Sequence, residues 1–422
     1  MFGTYMKILL TGANGYIGRR LLPLLIKQGH EVICQVRSKS RIELEPHLED
    51  KTTLVEADFL KTETISNLPD DIDAAYYLIH SLSASYNKFN NMEQDSASNF
   101  VKYLNNTSCK HLIYLGGIVN ADELSPHLKS RKEVEDHLAK ASCPLTVLRA
   151  AIIIGSGGAS FEIIRDLAEK LPVMVAPRWI NTKCQPIAIR NVMSYLTGIL
   201  LKEEAFNRTF DIGGPEILTY KEMLLKFAEV RGLKRIIIQV PVLTPKISSM
   251  WLYFVTTTSY ILARNLVDSM QTEVTVKKEG IKDIVNIELF DYKTAISLAF
   301  DRIAQNEVVS SWIDAINTSD VEGSMNEYMK VPEHGCFKDK QCFTIKKYGG
   351  TEEQTLNNIW SIGGKRGWYK FNLLWEIRGF MDKVVGGVGL RRGRRSVDQL
   401  VPGDALDFWR VLVADRQAKR LL

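Results

Sequence analysis

Residues 11–18, TGANGYIG, constrain this chain more than any other stretch. Gly12, Gly15 and Gly18 recur every three residues between an apolar run ending in Gly, KILLTG, and a run with helical apolar spacing, RRLLPLLIKQG. A strand that turns sharply into a helix leaves free N–H groups and a partial positive charge at the helix start. A phosphate reaches those groups only if no side chain blocks the turn. Gly12 permits the tight turn, Gly15 the close approach, and Gly18 the packing of helix on sheet. The motif therefore predicts a dinucleotide pyrophosphate over Thr11, Gly12, Asn14, Gly15, Tyr16, Ile17 and Gly18.

The runs that follow support that context. Short apolar stretches at 31–37, 52–58, 74–80, 111–117 and 145–153 alternate with helical stretches. Such alternation predicts an α/β fold: a doubly wound parallel sheet with helices on both faces. Beyond residue 155 the pattern loosens into a helix, a strand, and then strand, turn and helix. Segments 156–180 and 215–275 are expected to form a small substrate lobe over the carboxyl ends of the strands. Residues 1–301 are expected to form the nucleotide domain with its lobe. From 302 to 422 the composition turns to Gly, Trp and Arg, which predicts a separate α+β domain ending in a hairpin.

With 422 residues, 45% apolar and 24% charged, the chain can bury large cores without staples. A net charge of +5 is too small an excess to predict nucleic-acid binding. Six irregularly spaced Cys and the absence of a C-x-x-C pair predict reduced thiols and no metal site, with His334, Cys336 and Cys342 set aside for want of a second ligand pair. No signal peptide is legible, MFGTY reads as a short leader, and a cytoplasmic location is expected. Residues 247–263 carry no charge but hold six Ser and Thr, so a buried or groove-lining helix is expected there instead of a membrane span.

The second strand ends in QVRSKS, where a carboxylate would favour NAD. Arg37, with Lys39 and Arg41 close by, suits a 2′-phosphate, so NADP is expected ahead of NAD. Asp58 is placed to bond the adenine amino group and Phe59 to flank the ring. Ile79 and His80 are expected to pass beneath the adenosine and pyrophosphate. Leu115 and Gly116 close the list of cofactor contacts.

Together these residues resemble the short-chain dehydrogenase/reductase superfamily, with the T-G-x-x-G-x-x-G turn of its extended, epimerase-like members at Thr11, Gly12, Gly15 and Gly18. YLGGIV and SPHLKSRKEVE resemble its atypical branch, which is NmrA-like and similar to complex I accessory subunits. The resemblance covers about the first 300 residues and implies an oxidoreductase. It also implies a Tyr acid with a Lys four residues on, a pair that no Tyr in this chain makes. His127 and Arg131 stand at the matching places. His127 could serve as acid or base, with Arg131 as the cation one helical turn later. Alternatively, the acceptor takes its protons from water, or the protein senses the nucleotide without turnover as a regulator or assembly factor. Arg178, Trp179 and Gln185 are the substrate-side candidates, for a small molecule or a hydrophobic ligand of unknown identity.

The tail resembles an uncharacterised bacterial domain, distantly like a helix-grip, lipid-binding fold. Such folds end in a long helix, whereas this chain stops at Leu422 in an apparent strand, so either the chain is truncated or the helix-grip reading is wrong. In RRGRR, Arg391 to Arg395, a solvated turn is expected ahead of a phosphate or membrane contact.

Overall fold

The computed structural model describes residues 5–39, 42, 44, 46–79, 86–119, 126–240, 270–304, 351–363, 366–368, 370–384, 400, 405–406, 409–411, 414–416 and 418–421. The chain divides into two compact units, Met1–Ile316 and Asn317–Leu422.

The first unit is built on seven parallel strands: β1 (Lys7–Thr11), β2 (Glu31–Val36), β3 (Thr52–Glu56), β4 (Ala74–Tyr77), β5 (His111–Gly117), β6 (Leu145–Ala150) and β7 (Thr209–Ile212). Their order is β7-β6-β5-β4-β1-β2-β3. Strands β1, β4, β5 and β6 are almost wholly buried, as parallel strands covered on both faces must be. Helices α1 (Gly18–Lys27), α2 (Tyr86–Leu104) and α3 (Pro126–Leu138) run between strands. Leu21, Leu22 and Leu25 give α1 its buried stripe. Gly29, at φ +97°, ends it in a left-handed turn. The chain reverses direction across the sheet between β1 and β4, and such a switch point opens a crevice at the carboxyl ends of the two strands.

Strand β5 starts at His111, which is fully buried. The amide of Leu201 donates to its Nδ1 at 3.0 Å, so Nε2 carries the proton and donates to Thr146 Oγ1 at 2.8 Å. Burial lowers its pKa from 6.5 to about 4. The neutral ring therefore contributes stability that is complete above pH 6.5 and is lost as pH falls toward 4, because the unfolded chain takes up the proton first. The expected loss is about 3 kcal/mol. Urea melts between pH 7 and 4 should show that slope, and His111→Gln should flatten it.

The lobe has its own core. Helices α4 (Ala159–Lys170), α5 (Ile189–Gly198), α6 (Tyr220–Val230) and α7 (Tyr292–Ala304) follow in the chain. Phe161 of α4, Phe227 of α6 and Ile296 of α7 meet in one apolar cluster. Val173–Ala176 pairs in parallel with Ile236–Gln239. The same apolar cluster takes in Tyr292 and Ala295. The segment 247–263, His334, Cys336, Cys342 and the RRGRR run lie outside the described residues.

In the second unit, α8 (Glu352–Trp360) opens with a capping box at Thr351 and Gln354. It is followed by α9 (Asn372–Val384). Two short antiparallel ladders join Ala405–Leu406 to Trp409–Arg410 and Ala414–Asp415 to Arg420–Leu421. Trp360, Leu400, Leu406 and Val411 form its small core.

Candidate functional site

The glycine turn lies at the mouth of the switch-point crevice. Gly12 has φ +65°, and a Cβ there would stand 2.8 Å from the Leu78 carbonyl oxygen, just past β4. Gly15 donates its amide to Gly12 O at 2.9 Å. A Cβ on Gly18 would come within 2.4 Å of Gly12 O and 2.8 Å of Ala13 Cα. The helix start is thus pressed against the turn's own backbone. Ile17, the N-cap of α1, supplies no side-chain cap, so the helix start keeps N–H groups for a ligand. These are the features a pyrophosphate cradle needs, and the residues present fit a dinucleotide.

Thr11 is buried and ties the two walls together: its hydroxyl donates to Tyr76 O at 3.0 Å and accepts from Leu78 N at 3.1 Å. The crevice thereby gains a fixed width, and the hydroxyl is spent. Gln35, which sequence reasoning passed over, is buried in β2. Its Oε1 accepts from Gly12 N at 3.4 Å, and its Nε2 donates to Ala57 O. A polar residue inside an otherwise apolar strand was the available signal. Asn14 is half-buried in the turn.

Tyr16 is directed at a second glycine turn, residues 155–158. A Cβ on Gly155 would meet its hydroxyl at 2.6 Å, and one on Gly158 at 3.2 Å. Burial pushes the Tyr16 phenol up to about 12, opposed by Arg20, whose guanidinium lies 4.0 Å over the ring. Arg20 also donates to Tyr16 O at 3.0 Å and to Ser156 O at 2.7 Å. The second turn leads into α4, where Glu162 accepts from Gly157 N at 3.0 Å. Tyr16 and Arg20 therefore join the nucleotide turn to the entry of the lobe, a link no spacing rule revealed.

Arg37 follows β2 directly and is exposed, and among the described residues it makes no ion pair. Asp58 follows β3 half-buried, with Oδ1 accepting from Leu60 N at 3.0 Å. Phe59 requires a correction. It is 1% exposed and packs edge-to-face on Phe100 at 5.2 Å, inside the core. Its ring cannot flank an adenine, because the chain turns it toward α2 as β3 ends. Ile79 is half-buried at the β4 end, and His80 lies outside the described residues.

At the far wall, Leu115 and Gly116 are buried at the end of β5, and a Cβ on Gly116 would press on the Tyr114 ring at 3.1 Å. Arg131 Nη1 donates to Leu115 O at 3.2 Å, and Arg131 O accepts from Tyr114 OH at 3.3 Å. The guanidinium expected to partner His127 is thus bonded to the strand end. The His127 side chain lies outside the description, although its backbone belongs to α3. Behind this wall, Glu135 and Arg149 form a buried bidentate pair with bonds of 2.9 and 2.6 Å. Arg149 stands opposite Gly116 in the sheet register.

Of the substrate-side candidates, Arg178 is exposed. Trp179 packs edge-to-face on Tyr220 at 6.1 Å. Gln185 is corrected to a structural role: its Nε2 donates to Gly214 O at 2.8 Å and its Oε1 accepts from Val276 N at 2.9 Å. Each end of the amide thus bonds the loop at Gly213 and Gly214 or the segment at Val276, which fixes the side chain's orientation. Among the described residues no group of three His, Cys, Asp or Glu could hold a metal ion, and no helix is long and apolar enough to cross a membrane.

Comparison with known proteins agrees with this geometry. Residues 12–169 match the family described as NAD(P)H-binding, and residues 336–421 match a protein family of unknown function, DUF2867. The chain is 23% identical over 227 residues to the chloroplastic divinyl chlorophyllide a 8-vinyl-reductase of Arabidopsis thaliana, covering 50% of this chain and 54% of the reductase. It is 21% identical over 246 residues to the photosystem II assembly factor Ycf39 of Trieres chinensis, covering 58% of this chain and 75% of that factor. The chain thus spans about half the length of the curated reductases it matches. Among solved structures, a nucleoside-diphosphate-sugar epimerase from Staphylococcus aureus superposes with a TM-score of 0.57 at 14% identity, over 69% of this chain and 99% of the epimerase. The Bordetella bronchiseptica enzyme WbmG, solved with NAD and UDP, gives 0.55 at 14% identity, over 74% and 97%. At such identities these two establish the fold alone.

Proposed function

Starting from a chain whose N-terminal module belongs to the NAD(P)H-binding family, as an atypical short-chain dehydrogenase/reductase, we propose that this protein is an NADP(H)-dependent reductase whose acceptor draws its proton from water. The preference for NADP rests on Arg37, exposed at the β2 end with no ion-pair partner among the described residues. A guanidinium there suits the 2′-phosphate with paired hydrogen bonds. The observation that carries the reaction class is Arg131. It stands where the superfamily's Lys belongs and is bonded to Leu115 O at 3.2 Å, so the position holds no Tyr–Lys pair to deliver a proton.

When bound, the nicotinamide supplies a hydride. The chain's own residues bind and orient. Gly12, Gly15 and Gly18 admit the pyrophosphate, Gln35 and Thr11 fix the crevice, and Arg131 holds the β5 end. An acceptor activated by its own conjugation, such as a quinone or an alkene conjugated to a ring, needs no more than this. The similarity to a vinyl reductase supports that acceptor class.

Calorimetry with NADPH and NADH is the first test. NADPH should bind more tightly, and Arg37→Ala should weaken it by roughly 10- to 100-fold, the loss of a charge-assisted contact, while NADH binding stays nearly unchanged. Equal affinity for both nucleotides in the unaltered protein would refute the Arg37 assignment. NADPH oxidation should then appear with a conjugated acceptor, and His127→Phe should leave its rate within a few-fold. A large loss would instead make the imidazole the acid.

A second reading is favoured by the similarity to an assembly factor over three-quarters of that factor's length. There the module binds nucleotide without turnover and changes its partners with redox state. A preference for one redox form together with no oxidation by any acceptor would decide for it.

A further inference from the structure

The second unit carries an apolar helix face that its own core does not use. In α9, Trp375 and Gly379, one helical turn apart, are turned inward. Leu373, Leu374, Ile377, Phe380 and Met381 are 47–68% exposed. At 3.6 residues per turn these five fall within an arc of about 120° on the opposite side. Glu376 and Arg378 are also exposed and border the stripe. Phe371, just before the helix, is 70% exposed. The helix is therefore amphipathic in the inverted sense, with its apolar side outward. A contiguous apolar patch of this kind on a folded unit marks a binding surface.

Charge selects the occupant. Residues 365–395 contain nine Lys and Arg against Glu376 and Asp382, a net +7, whereas the whole chain is +5. The rest of the chain is therefore net −2, and the positive charge is concentrated around α9. Four of the arginines, at 391, 392, 394 and 395, follow the helix closely. At 13 residues the helix is too short to span a bilayer. An outward apolar stripe with aromatic residues, in a net-positive stretch of sequence, is what a helix lying in an anionic bilayer surface requires. A second copy of this chain would bring a like-charged +7 segment against this one.

We propose that α9 docks this protein on the surface of an anionic phospholipid membrane, with Leu373, Leu374, Ile377, Phe380 and Met381 entering the acyl boundary.

The test is co-sedimentation of the full chain with vesicles of phosphatidylcholine alone and of phosphatidylcholine mixed with phosphatidylglycerol. Binding to the mixed vesicles should exceed binding to the neutral ones at least about tenfold and fall to the neutral level in high salt. Leu374→Glu with Phe380→Glu, and separately Arg391→Glu with Arg392→Glu, should each remove most of it, with melting temperatures unchanged. In the unaltered protein, brominated lipid should quench tryptophan fluorescence, a readout that needs no variant. Equal binding to both vesicle types, or binding that survives both double variants, overturns the proposal. So does self-association abolished by Leu374→Glu with Phe380→Glu in a protein that ignores vesicles, which would assign the face to a second copy.

Discussion

Gly18→Ala should cost the protein its nucleotide. The added Cβ would stand 2.4 Å from Gly12 O and 2.8 Å from Ala13 Cα. Both are backbone atoms, so no side chain can swing away, and α1 must lift off the turn. Overpacking of this kind costs about 3 kcal/mol. Because the displaced atoms are those that meet the pyrophosphate, that cost appears as a loss of roughly two orders of magnitude in affinity. Gly29→Ala is the matched control. Gly29 has φ +97° but nothing within 4 Å of a built Cβ, so the variant should lose about 1 kcal/mol of stability through strain and bind nucleotide as before. Calorimetry beside urea melts separates the two. Equal affinity in both variants would mean that the turn is not the cradle.

Glu135→Ala should be the most destabilising single change in the first unit. Glu135 and Arg149 are both buried, and Lys132 adds a contact to Glu135 at 3.4 Å. Removing the carboxylate strands a guanidinium between α3 and β6, at a cost of about 3–5 kcal/mol. A domain of this kind holds only about 5–15 kcal/mol in total. The double variant Glu135→Ala with Arg149→Leu removes both charges and should recover much of the loss. The urea midpoint reads both effects. A single variant no less stable than the double would mean that the pair is not functionally buried.

Arg149 also shows where sequence reading stops. The run LTVLRAAII was legible as a strand because its apolar residues are continuous, and β6 forms at Leu145–Ala150. That a lone Arg within it needs a carboxylate was inferable, but its partner on a separate helix was not. β5 forms over the stretch read as HLIYLGG, since a parallel strand buried on both faces carries its signal locally. Phe59 and Gln185 failed for the opposite reason. Their roles depend on where a loop side chain turns after its strand, and on Gly214 and Val276, far along the chain. The glycine turn was legible because its demands are those of three backbone positions within seven residues. The second turn at 155–158 meets Tyr16 only in three dimensions. In the tail, Gly379 and the glycines beyond α9 obscured a helical period that the described residues display.

The clamp made by Thr11 has a temporal consequence. It reaches Leu78 across 67 positions of chain, while β2 and β3 pair after a loop of fifteen residues. Closing the longer loop costs more entropy, so β1 waits for β4. On a ribosome, the glycine turn emerges long before its opposite wall exists. Nucleotide can therefore capture this protein only after residue 78 has left the exit tunnel, and it acts as a seal on a finished sheet instead of a seed for its growth.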